Sequence, residues 1–134
     1  MNRNVMKNLK VKDYITVKDL TVTGTLSPEA TTDNFVELTA TAAGTITSGM
    51  IALTHGSVAI VTDVPAPGVA GKSLIIRDTT TGASHVVTST GGTFDGTNNT
   101  ATFDAAGEQL ILYSVSATEW IIVLNSGSVA MSDV

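Results

Sequence analysis

Few side chains in this 134-residue chain could do chemistry, and each is weighed by type and spacing. His55 and His85 are its two histidines. With an Asp or Glu they could hold zinc, but they lie thirty positions apart with no second motif. A satisfied or interfacial histidine is the better reading of each. Asp95, Asn98 and Asn99 could offer oxygens to calcium. Their spacing is not that of an EF-hand, and no bidentate Glu follows at the required distance, so a turn closed by its own Asx side chains is expected. Serines are plentiful, yet no Gly-x-Ser-x-Gly elbow occurs and neither histidine is placed by a local signature to partner one. Gly71-Lys72-Ser73 lacks the leading glycine of a phosphate loop and runs into an extended segment. Trp120 and Tyr113 could line a carbohydrate face, but the further aromatic strands of such a face are missing, and core anchoring is expected for Trp120. The expectation is therefore no enzyme, no metal and no cofactor.

The segments that would carry these residues are short and extended. From Phe35 onward strands are expected at Phe35 to Thr41, Met50 to His55, Ser57 to Asp63, Lys72 to Asp78 and Ser84 to Ser89. Further strands are expected at Thr100 to Asp104, Glu108 to Val115, Glu119 to Leu124 and Ser128 to Ser132. Turn chemistry separates them, notably Pro65-Ala66-Pro67-Gly68 and Asp95-Gly96-Thr97-Asn98-Asn99. Strands about ten residues apart with no helical segment between them predict an all-β fold, a compact antiparallel sandwich or barrel-like body over residues 35–134. Leu110-Ile111-Leu112 and Trp120-Ile121-Ile122-Val123 are apolar on both alternations, so cover on both faces is expected, with a neighbouring subunit as the second cover. Leu112, Tyr113, Trp120 and Ile122 are the expected core and oligomer anchors.

Charge is scarce: Asp, Glu, Lys and Arg make up 14% of the chain, against about 25% in a typical soluble domain. Mean hydropathy is +0.27. A body so poor in charge suggests surface buried against other chains. Cysteine is absent, which excludes disulfides and thiolate chemistry. The longest apolar run, Trp120 to Leu124, is far short of the ~20 residues of a spanning helix, so no membrane partner is expected. Met1 to Lys12 is basic and leads into alternating polar residues, not the continuous apolar core of a signal peptide.

The charge is also unevenly placed. Residues 1–18 hold five basic residues, Arg3, Lys7, Lys10, Lys12 and Lys18, against one acidic residue. From Asp19 onward eleven acidic residues face two basic ones. Such a split marks a tail that binds something the body does not. Leu9, Val11, Ile15 and Val17 alternate with polar residues, as in an extended strand. Residues 1–34 therefore read as an extended basic arm and linker, broken at Ser27-Pro28. Its expected contact residues are Arg3, Lys7, Lys10, Val11, Lys12, Ile15, Val17 and Lys18. Nucleic acid is disfavoured as its partner, because the acidic body would repel it and aromatics are only 4%.

An ordered series of segments carries a resemblance: Leu74-Ile75-Ile76-Arg77-Asp78, Thr81-Gly82-Ala83, His85-Val86-Val87-Thr88, Thr93-Phe94-Asp95-Gly96, Leu110-Ile111-Leu112-Tyr113 and Glu119-Trp120-Ile121-Ile122-Val123. The series resembles a β module of bacteriophage virion proteins, found in head decoration (cement) proteins, head fibres and tail-fibre tips. Leu20-Thr21-Val22-Thr23-Gly24-Thr25-Leu26 is similar to segments that precede such modules in trimeric fibres. The resemblance spans most of residues 20–132 and rests on the order of its motifs, each of which is ordinary turn chemistry. It implies a homotrimer on the virion surface, assembled in the bacterial cytoplasm, with the major capsid protein as partner. A receptor-binding or adhesive fibre tip is the alternative it implies.

Overall fold

The computed structural model describes residues 34–42 and 46–134. The expected arm residues from Arg3 to Lys18 lie outside the described residues, as does all of the 1–34 segment except Asn34.

The described chain is all-β. Nine strands form two sheets: β1 Phe35–Leu38, β2 Gly49–Leu53, β3 Val61–Pro65, β4 Ser73–Asp78, β5 His85–Thr90, β6 Thr100–Phe103, β7 Gln109–Ser114, β8 Trp120–Ser126 and β9 Ala130–Ser132. The first sheet has the order β1-β2-β4-β7-β8 and the second β3-β5-β6-β9. Every strand expected from the sequence has a counterpart. The expectation of purely antiparallel pairing is corrected, because β1–β2, β2–β4 and β3–β5 are parallel. The physical reason is a coil. From β2 to β5 the chain alternates between the sheets, and each circuit returns it beside its earlier self. Met50 pairs with Ile75 and Val61 with Val86, the same 25-residue advance in both sheets. The strands after β5 all pair antiparallel, and an isolated parallel bridge joins Thr93 to Glu119.

The third strand is also displaced from its expected place, Ser57 to Asp63. The His55 Nδ1 accepts hydrogen bonds from the backbone N–H of Ser57 at 3.1 Å and of Val58 at 3.0 Å, folding that stretch into a turn. The strand starts later and runs into Pro65, which sits on an edge strand where a missing N–H costs no ladder bond.

Alternation sorts the side chains. In the five-stranded sheet Leu38, Ile51, Leu53, Leu74, Ile76, Leu110, Leu112 and Trp120 point inward. They meet Val64, Val87, Ala101 and Phe103 of the other sheet in one hydrophobic core. Phe94 joins that core from the β5–β6 connection and is fully buried. Tight turns serve the coil: Gly82, between β4 and β5, has φ +105°, and a Cβ there would stand 2.6 Å from the Gly56 carbonyl oxygen of the preceding turn.

Candidate functional site

The two histidines sit apart, each with a backbone task. His55 closes the turn described above. His85 is fully buried on the inner face of β5, and its Nδ1 accepts the Ile60 N–H at 3.0 Å. That bond places the neutral ring's proton on Nε2, which lies 3.6 Å from Oδ1 of buried Asp78. Asp78 Oδ1 is already engaged by the Thr80 N–H at 2.9 Å. A His–Asp pair beside a serine would suggest acyl transfer. Ser89, buried on the same face, is four residues along β5, about 13 Å away at ~3.3 Å per residue, so the three do not form a triad.

Asp95 builds a turn. Its Oδ1 accepts from the N–H of Thr97 at 3.0 Å and of Asn98 at 2.6 Å, and its Oδ2 from the Asn98 amide at 2.7 Å. Partial burial pushes the Asp95 carboxyl up, but the Asn98 side chain and the Asn98 and Thr97 backbone outweigh it and hold it below its ordinary value. The turn also fixes Phe94, whose N–H donates to the Asn98 carbonyl at 2.7 Å, so the loop's product is a core aromatic. Lys72, in the glycine-lysine-serine segment, gives its ammonium to Thr47 Oγ1 and the Pro67 carbonyl, both at 2.7 Å. Among the described residues, no group of three His, Asp or Glu side chains could hold a metal ion.

The expected anchors divide between two faces. Leu112 and Trp120 are fully buried, and Ile122 packs against the same core. Tyr113, at 43% exposure, points to the outer face of the five-stranded sheet. That outer face is the most distinctive surface of the body. Cross-strand pairing sets Phe35 beside Met50, Met50 beside Ile75, Ile75 beside Ile111 and Ile111 beside Leu124. One apolar residue from each of the five strands thus forms a continuous ridge across the sheet. Its ends are open: Phe35 is 63% and Leu124 45% exposed. Ile121, 40% exposed, pairs with Tyr113 in the row on one side. The row on the other side reads Glu37, Ala52, Arg77, Gln109, Ser126.

Two hollows flank Met50. One, of about 520 Å³, is lined by Phe35, Glu37, Ala52 and Arg77 together with Ala106 and Gly107. The other, of about 510 Å³, lies by Gly49, Lys72, Ser73 and Ile75. The two-faced apolar runs of β7 and β8 were legible in the sequence. The ridge was not, because it exists only through the register of five strands. Compared with protein-family models and with curated proteins, the chain matches no family and no curated relative.

Proposed function

We propose that this chain is a capsid decoration (cement) protein of a bacteriophage. It is a non-enzymatic part of the head surface that self-associates as a homotrimer through its β body and fastens to the major capsid protein through its basic arm. The observation that carries the reading is the outer apolar ridge, five strands wide, on a body poor in charge. Contiguous apolar surface of this kind marks an assembly contact. The resemblance to phage virion modules supplies the setting, and its segments fall on β4, β5, β7 and β8 and the connections beside them. The charge split supplies the division of labour. Five basic residues at the start suit an acidic or edge-exposed shell surface, where an alternating segment can add to a sheet by main-chain pairing. Several arms on one oligomer bind together, so modest affinity per arm yields lasting attachment.

The test is co-sedimentation of the full-length chain with undecorated capsids of the phage that carries it. The wild-type chain is expected in the capsid fraction. Replacing Lys7, Lys10, Lys12 and Lys18 together by Gln should weaken binding and flatten its salt dependence, since exposed charge contacts are screened over ~8 Å at physiological ionic strength. A wild-type chain that stays in the supernatant at every salt concentration would remove the proposal. Binding to host cells in place of capsids would move it to a fibre tip.

A further inference from the structure

We infer that copies of this chain associate through the outer face of the five-stranded sheet, ridge against neighbouring ridge and hollow, with Glu37 of one copy facing Arg77 of the next. The inference rests on the self-association proposed above and is independent of capsid attachment.

The occupant follows from charge and area. Among the described residues the outward-facing strand positions of this face carry one acid and one base. Glu37 and Arg77 lie in the same cross-strand row, two strands apart, with Ala52 between them. At ~4.8 Å per strand they stand about 10 Å apart at the backbone. Among the described residues no salt bridge engages either one. A basic or an acidic partner would satisfy one and repel the other. A second copy brings both signs, so around a ring of copies Glu37 of each can meet Arg77 of the next and both are satisfied. Arg77 is also one of only two basic residues among those described, and the other, Lys72, already donates to Thr47 and Pro67.

Five strands at ~4.8 Å and about five residues at ~3.3 Å give a plan area on the order of 400 Å² per copy. Side-chain relief raises the accessible area above that, so two copies approach the roughly 1,000 Å² at which specific interfaces begin. The relief is itself paired. The ridge stands beside the two hollows next to Met50, so a neighbour displaced by one row seats its apolar side chains in them.

The test is the molar mass of the full-length chain by sedimentation and light scattering over a range of micromolar concentrations. The wild-type chain is expected to be an oligomer. Glu37→Lys and Arg77→Glu should each weaken association about fivefold, the scale of exposed charge pairs that become like-charge contacts. The double reversal Glu37→Lys/Arg77→Glu should return to within about twofold of wild type, since it restores opposite signs across the contact. Phe35→Ser/Leu124→Ser, changed at the two exposed ends of the ridge, should weaken association more than tenfold with an unchanged circular dichroism spectrum. A monomeric wild-type chain, or a double reversal no better than the singles, overturns the inference. An oligomer indifferent to all four variants overturns this face while leaving the proposed function standing, because capsid co-sedimentation reads the arm separately.

Discussion

Trp120 gives the sharpest test of what holds the body together. It opens β8 on the inner face and is fully buried, while its backbone N–H donates to the Thr93 carbonyl at 2.9 Å. The indole Nε1 has no hydrogen-bond partner among the described protein groups. Its stabilisation is therefore packing and burial without a polar contribution. Trp120→Ala removes the whole ring and leaves a cavity, which costs about 3–5 kcal/mol. For a body of this size each kcal/mol moves the melting temperature by roughly 4–8 °C, so a fall on the order of 15–30 °C is expected. Trp120→Phe is the informative control. It keeps most of the ring and removes an N–H whose unpaired burial costs about 1–3 kcal/mol, so the loss of packing is largely offset. The Phe variant should melt within about 6 °C of wild type, a net cost near 1 kcal/mol. Melts are read by far-ultraviolet circular dichroism at one fixed protein concentration, because the proposed self-association would make the midpoint depend on concentration. An Ala variant that melts within a few degrees of wild type would show that the core does not turn on this residue. A Phe variant as damaged as Ala would show that the indole N–H has a partner after all.

Two further outcomes follow from the turns. Gly82→Ala forces a Cβ into a left-handed position and against the Gly56 carbonyl, so it should cost about 1–3 kcal/mol; Gly68→Ala, at φ +78° with nothing within 4 Å, should cost about 1 kcal/mol, and urea midpoints compare them. Asp95 has a folded-state carboxyl lowered from its ordinary value, so its contribution is complete above the unfolded value and is lost as pH falls through the folded one. Asp95→Asn should therefore narrow the gap in melting temperature between neutral and strongly acidic buffer, and an unchanged gap would show that the turn does not feel the charge.

The strands were legible in the sequence because each carries its own evidence: β-branched and apolar alternation within, and Gly, Pro, Asn or Asp at the ends. Pairing direction was not legible, because it depends on which distant segment lies alongside. Leu74-Ile75-Ile76 reads the same whether its neighbours run with it or against it, yet β4 has a parallel neighbour on one side and an antiparallel one on the other. The 25-residue advance left a faint trace that a self-comparison of the chain would have found: Thr54 and Thr79, whose hydroxyls lie 2.8 Å apart, and the paired Ile51 and Ile76. His55 shows the converse limit. Ser57 to Ile60 has an acceptable strand composition, but one ring nitrogen that captures two backbone N–H groups converts part of it to a turn.

Phe94 and Tyr113 show why side-chain roles were harder to assign than strands. Phe94 lies in a loop by every local signal, and its burial comes from a hydrogen-bonded Asx turn that folds the ring under the sheets. Tyr113 has Leu112 as its neighbour in sequence, but alternation along β7 sends the two to opposite faces, one into the core and one outward. The same alternation bears on the apolar runs. In a two-sheet body the inner residues of β7 and β8 need only the facing sheet, and Leu110, Leu112 and Trp120 have it. The intervening Ile111, Ile121 and Leu124 contribute nothing to that core, yet they remain as apolar as their neighbours. Exposed β-strand positions are normally filled by polar residues, as Thr, Gln and Lys fill them at no cost to the fold. Apolar side chains aligned in one row across five strands are what the proposed self-association would bury. Among the described residues Glu37 and Arg77 are the charges beside that row, and in the inferred contact each would meet the opposite charge of another copy.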